Sequence, residues 1–125
     1  MATLVVTEGP ASGQQFALEE HRLVLVGRDH QCTFQIVDPQ ISRRHFQLRY
    51  DEGEGRHYAI DFESSNGVSV NGTKIAAPQP LEDGDVIHIG GTLIVYSVED
   101  SPDAQRVTEI LRKHGEGRHE TQLES

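Results

Sequence analysis

Ser42, Arg43 and Arg44 set one hydroxyl and two guanidiniums in consecutive positions, between Ile41 and His45. Such a run is a natural anion site, because hydroxyls and guanidiniums all donate hydrogen bonds and arginine keeps its charge. A second stretch, Ser64-Ser65-Asn66-Gly67-Val68-Ser69-Val70-Asn71-Gly72, offers small hydroxyls and two Asn-Gly pairs around a brief strand. Asn-Gly supplies the positive φ that tight turns need. Upstream, Val26-Gly27-Arg28 closes an apolar run with a glycine and then an arginine. The first two stretches sit where apolar alternation breaks, so both are expected to be loops between strands. Read singly, these residues are compatible with exposed arginines and a turn serine on a solvated surface.

The elements that must position them are short strands. Thr3 to Thr7, Gln14 to Leu18, Arg22 to Val26 and Cys32 to Ile36 come first, the third nearly continuous in apolar residues as befits a central strand. Phe46, Leu48 and Tyr50 alternate with Gln47 and Arg49, and Tyr58, Ile60 and Phe62 share one face of the next strand. Val68 to Val70, Lys74-Ile75, Val86 to Ile89 and Thr92 to Val98 follow, with Ala76 to Pro80 read as a loop, Asn71-Gly72 as a plain hairpin turn and Gly90-Gly91 as another hairpin. Ten or eleven short strands with no helix among them predict an all-β antiparallel sandwich over residues 1–98. Residues 99–114 read as a C-terminal helix, Ser101 to His114, with Ser101 as N-cap, Pro102 and Asp103 in the first turn and a Val107/Ile110/Leu111 stripe. A helix this short is marginal alone, so the stripe is expected to dock. Residues 115–125 are polar and read as a disordered tail.

Composition removes several function classes. The chain has 125 residues and a formal charge of −9, which argues against a nucleic-acid partner. Residues 1–98 carry 13 acidic and 7 basic side chains, a balance of −6, yet Arg22, Arg28, Arg43 and Arg44 all fall within or just before the motif stretches. A locally positive site on an acidic body suits selective anion binding, since the remainder repels non-specific polyanions. No apolar run approaches the ~20 residues of a membrane span, and no signal peptide is visible. A single cysteine, Cys32, forms no internal disulfide and reads as a small packing residue, with cytoplasmic residence as the expectation. Seven histidines are present, but none has a metal-ligand spacing backed by cysteines or carboxylates. No nucleophile–base motif and no phosphate-cradling Gly-x-x-x-x-Gly-Lys loop occurs, so neither an enzyme nor a cofactor is expected.

As an ordered set, Gly27-Arg28, Ser42-Arg43-Arg44-His45 and Ser64 to Gly72 resemble the forkhead-associated (FHA) domain family, over about Leu4 to Val98. That family folds as a β-sandwich with binding loops at one end and reads phosphothreonine in partner proteins. The resemblance implies that Arg28 hydrogen-bonds the phosphate, that Ser42 donates its hydroxyl and backbone amide to it, and that Arg43 adds a contact. Ser65 would touch the phosphate or line the pocket for the threonine methyl, and Asn66 would grip the peptide backbone. His45 would buttress the Ser42 loop, while Gly27 and Gly67 act through backbone geometry. Residues after the phosphothreonine would be read near Gln40 and Gly90-Gly91-Thr92. A phosphothreonine brings nearly two negative charges and three acceptor oxygens. Two or three charge-assisted bonds of ~1.5–3 kcal/mol each, with backbone contacts, reach the roughly −8 kcal/mol of micromolar binding. The implied protein is a non-catalytic adaptor in Ser/Thr kinase signalling, a monomer or weak dimer that binds a Thr-phosphorylated partner, with neither nucleic acid nor membrane. The alternative is a phosphorylation-independent module that dimerises through a sandwich face or the C-terminal helix.

Overall fold

The computed structural model describes residues 2–18, 23–62, 64–99 and 102–113. Among the described residues eleven strands build two sheets that face each other. They are β1 (Thr3–Glu8), β2 (Gln15–Ala17), β3 (Leu23–Gly27), β4 (Phe34–Gln35), β5 (Phe46–Asp51), β6 (Arg56–Asp61), β7 (Ser69–Val70), β8 (Thr73–Lys74), β9 (Gln79–Pro80), β10 (Val86–Ile89) and β11 (Thr92–Ser97). One sheet runs β2-β1-β11-β10-β7-β8 and the other β4-β3-β5-β6-β9. The pairing is antiparallel throughout except for β3 with β4, where Val26 pairs Phe34 in parallel. The all-β sandwich expected from the sequence is therefore the fold, with that one parallel edge and with β9 inside the stretch read as a loop.

Alternation explains the core. Leu4 and Val6 of β1, Val24 and Val26 of β3, Phe46 and Leu48 of β5, and Ile87 and Ile89 of β10 all lie in one buried cluster. Each points inward at every second position, as strand geometry requires. On β6 the inward residues are His57 and Ala59, and Tyr58 and Ile60 fall on the outer face with Phe62 beyond them, 38% exposed. Register is the reason: Ala59 sits opposite the fully buried Leu48, and a small side chain fits beneath it. His57 reaches across the sandwich instead, its Nδ1 2.6 Å from the Tyr96 hydroxyl of β11.

A helix, α1, spans residues 104–113. Its capping oxygen comes from Asp103, whose Oδ1 accepts the Arg106 amide at 2.8 Å; Ser101, the expected cap, lies outside the described residues, as do His114 and the tail at 115–125. Val107, Ile110 and Leu111 pack on Val5, Val86, Leu93 and Val95, the outer face of the six-stranded sheet. The arginine at the first turn also bonds Asp83, Nη2 to Oδ2 at 2.6 Å.

Candidate functional site

The arginine expected to meet an anion is set by the way β3 ends. Beyond Gly27 the backbone keeps pairing, with the Arg28 amide donating to the Ser42 carbonyl at 3.1 Å and the Asp29 amide to the Arg43 carbonyl at 3.0 Å. A Cβ on Gly27 would stand 2.2 Å from the Arg43 carbonyl oxygen and 3.0 Å from the Arg44 Cα. No side chain fits there, so glycine is required by close approach. The Arg28 Nε donates to the Ile41 carbonyl at 3.0 Å. That bond orients the guanidinium and leaves its two terminal amino groups for a ligand.

His45 is fully buried and joins the two motif loops. The Ser42 amide donates to its Nδ1 at 3.0 Å, and its Nε2 lies 2.8 Å from the Gly67 carbonyl oxygen. Because Nδ1 accepts from an N–H, the ring proton sits on Nε2 and is donated to Gly67. This geometry gives the Ser42 amide a partner inside the protein, in contrast to the expectation that it points at a phosphate. The hydroxyl remains: Ser42 Oγ accepts the Ser65 amide at 3.0 Å, which leaves its own proton to donate outward. Asn66 donates through Nδ2 to the Gln40 carbonyl at 2.8 Å, and its Oδ1 can accept an N–H from an extended chain. Gly67 has φ +78°, a conformation that favours glycine.

These contacts bring Arg28, Ser42, Ser65 and Asn66 to one end of the sandwich, drawn from three loops. Arg43 and Arg44 are exposed beside them, and neither forms an ion pair among the described residues. Both act on Asp29, whose carboxyl is held below its ordinary value first by the Gln31 amide and then by His30, Arg44 and Arg43. Arg28, Asp29, His30, Gln35 and Arg43 line a cavity of about 300 Å³. A larger hollow of about 880 Å³ lies on the outer face of the five-stranded sheet, lined by Leu23, Arg49, Tyr58 and Ile60 among others, and contains none of these residues. The smaller cavity is the arginine-lined one, and Ser42, Ser65 and Asn66 are not among its lining residues. Among the described residues no group of three His, Cys, Asp or Glu side chains stands close enough to hold a metal ion.

Two residues gained roles that the sequence did not suggest. Asp38 is buried and accepts bonds from Gly91 and Thr92. Those partners lie more than fifty positions away, and no local pattern announces them. Asn71 does turn β7 into β8, with φ +52°, but its side chain also bonds Asp85 and the Val86 amide, each at 2.9 Å. Cys32 packs as expected, 8% exposed, with its thiol donating to the Arg43 carbonyl at 3.1 Å.

The FHA domain family model matches residues 24–90. The chain is 37% identical over 93 residues to the FHA domain-containing protein FhaA of Mycobacterium tuberculosis, an alignment covering 74% of this chain and 16% of that protein. It is 36% identical over 95 residues to the oxoglutarate dehydrogenase inhibitor of Corynebacterium glutamicum, covering 76% of this chain and 64% of that one. The chain thus spans less than two thirds of the length of either relative. Among solved structures, the FhaA FHA domain complexed with the intracellular domain of Rv3910 superposes with a TM-score of 0.67 at 30% identity, covering 77% of this chain and 99% of that one. A structure from a study of phosphothreonine-dependent FHA domain interactions superposes with a TM-score of 0.69 at 29% identity, covering 79% of this chain and 97% of that one.

Proposed function

Because the chain belongs to the FHA domain family, whose model takes in residues 24–90, we propose that its loop end binds phosphothreonine in partner proteins through Arg28, Ser42, Arg43, Ser65 and Asn66. The protein acts as a phosphopeptide-binding adaptor in kinase signalling, without catalysis of its own. One observation carries the assignment of residues: Ser42 and Asn66, on separate loops, are already bonded into a single array with Arg28 beside them. Arg28 offers its terminal amino groups and Ser42 its hydroxyl proton to phosphate oxygens, and charge-assisted bonds of this kind are the strong ones. Arg43 adds a second guanidinium. Asn66 then holds the peptide's main chain, and burying the threonine methyl favours phosphothreonine over phosphoserine by ~1 kcal/mol.

Partners are Thr-phosphorylated proteins. The net charge of −9 disfavours nucleic acid, and no helix among the described residues is long and apolar enough to cross a membrane. Cytoplasmic residence and a monomeric or weakly dimeric state complete the reading. The apolar stripe of α1 is buried within the chain, which counts against dimerisation through that helix.

Calorimetric titration with a phosphothreonine peptide and its unphosphorylated twin tests the reading. Wild type is expected to bind only the phosphorylated form, and Arg28→Ala and Ser42→Ala each to lose that binding while melting within a few degrees of wild type. They remove surface donors rather than core volume. Unchanged affinity in both variants would return the argument to a phosphorylation-independent module.

A further inference from the structure

One cation reaches the loop end from the edge of the six-stranded sheet and takes no part in the phosphate contacts. Lys74 of β8 stands opposite Ser69 of β7, and Ser69 stands opposite His88 of β10. Val70, Ile87 and Ile89 point into the core, so alternation turns Ser69 and His88 outward, and Lys74 shares the face of its cross-strand partner. From there the lysine side chain runs diagonally toward the loops. A Cβ on Gly67 would meet its Cε at 2.3 Å and its Nζ at 3.1 Å, so the lysine fills the space that a side chain at position 67 would need. Glycine, here at φ +78°, leaves that path open. His45 holds the Gly67 carbonyl from the inside, and the ammonium therefore rests on a fixed turn, on the residue that follows Asn66. Lys74 and His88 are exposed. Lys74 forms no ion pair among the described residues, and the side chains of Lys74, Ser69 and His88 make no hydrogen bond there. The row holds no carboxylate that would quench the charge.

We propose that Lys74 is a specificity-determining residue: its ammonium, laid across Gly67, takes an anionic side chain of the bound peptide next to the stretch that Asn66 holds. The inference rests on the phosphothreonine reading above. An ammonium is a compact charge with three rotatable donors, so it accepts a carboxylate or a second phosphoryl group from several directions. Ser69 and His88 add neutral donors on the same face, and Gly67 presents no side chain to block the approach. An extended peptide advances about 3.3 Å per residue and turns alternate side chains to opposite sides. Only one or two of its positions can therefore reach the ammonium, and the preference is tied to position.

Calorimetry with a set of amidated phosphothreonine peptides tests it. The parent peptide is otherwise uncharged, and the others carry a single glutamate at each position in turn on either side of the phosphothreonine. At one or two positions glutamate is expected to tighten binding to wild type about fivefold, the upper range for an exposed ion pair. Lys74→Met keeps the stem over Gly67 and removes the charge. It should lose the gain at those positions, bind the parent peptide within about twofold of wild type and melt within a few degrees of it. Lys74→Arg should keep the gain. If Lys74→Met does not fold, Lys74→Gln decides on the same terms. Phosphoserine at the responsive position tells the two anions apart: tightening beyond about tenfold assigns the place to a second phosphate, and a smaller gain assigns it to carboxylates. Glutamate gains that Lys74→Met leaves intact at every position overturn the inference, as does indifference of wild type to glutamate throughout. An equal fall for all peptides, the parent included, also overturns it, since that is the mark of long-range attraction alone. Failure of wild type to bind the parent peptide sinks the phosphothreonine reading itself, and the role of Lys74 with it.

Discussion

Gly27 and Arg43 meet backbone to backbone, so close that a Cβ on the glycine would lie 2.2 Å from the arginine's carbonyl oxygen. The same carbonyl accepts bonds from the Asp29 amide and the Cys32 thiol. The strand end, the Ser42-Arg43-Arg44 loop and the buried cysteine are thus packed around one peptide group.

Gly27→Ala should therefore push the Arg43-Arg44 segment off β3. The clash is with backbone, which cannot turn aside as a side-chain tip can, so overpacking of about 1–3 kcal/mol is expected. For a domain near this size that lowers the melting temperature by on the order of 10 °C. Phosphothreonine binding should weaken with it, because Ser42 and Arg43 move together. An alanine variant that melts and binds like wild type would contradict the close approach.

His45→Ala should cost both stability and affinity. The substitution orphans the Ser42 amide and the Gly67 carbonyl, and unmade bonds of this kind cost about 1–3 kcal/mol each. Urea denaturation reads the first effect and calorimetry the second. Full stability with normal binding would show that the ring is no buttress.

Much of this site is legible in the sequence because it is built from contiguous stretches: Ser42, His45, Ser65 and Asn66 sit on short loops whose turn chemistry is local. What stays hidden depends on long-range register. Asp38 finds its donors at Gly91 and Thr92, on a hairpin that only the closed sandwich brings near. β9 holds two residues, one of them proline, and pairs with β6 at Tyr58 and Ala59; a proline there reads as a loop. The Tyr58/Ile60/Phe62 alternation is real, but period two alone does not say which face is the core. Opposition of Ala59 to Leu48 settles that, and it requires the pairing.

Stability should fall on mild acidification because of His57. Burial holds its imidazole below the ordinary value of 6.5. The unfolded chain therefore takes up a proton near pH 6.5 while the folded chain does so only at lower pH, and stability present above 6.5 is lost as the pH drops below it. At the alkaline end Tyr96 is pushed up from 10.0 to about 12, also by burial, so stability declines between those values as the unfolded tyrosine ionises first. Denaturation midpoints across pH should show both limbs. His57→Gln, which does not titrate, should flatten the acid limb near pH 6; an unaltered slope there would assign it to other groups.

Ile110→Ala should destabilise the domain by about 2 kcal/mol, toward the low end for buried isoleucine because the helix lies on an outer face. Peptide affinity should hold within about twofold, since Ile110 packs beside Gly84, at the end of β10 opposite its Gly90-Gly91 turn. A large loss of affinity at full folding would mean that α1 communicates with the loops.

The bonds Ser42–Ser65, Asn66–Gln40 and Asp38–Gly91 tie the loops to one another within the chain itself. The loops therefore have little left to order when a ligand arrives, and the entropy of assembling the site is charged to folding rather than to binding. Encounter then becomes a matter of charge and diffusion, fast and sensitive to salt, and similar for any phosphorylated chain. What separates one partner from another is how long each stays, so discrimination belongs to dissociation rates.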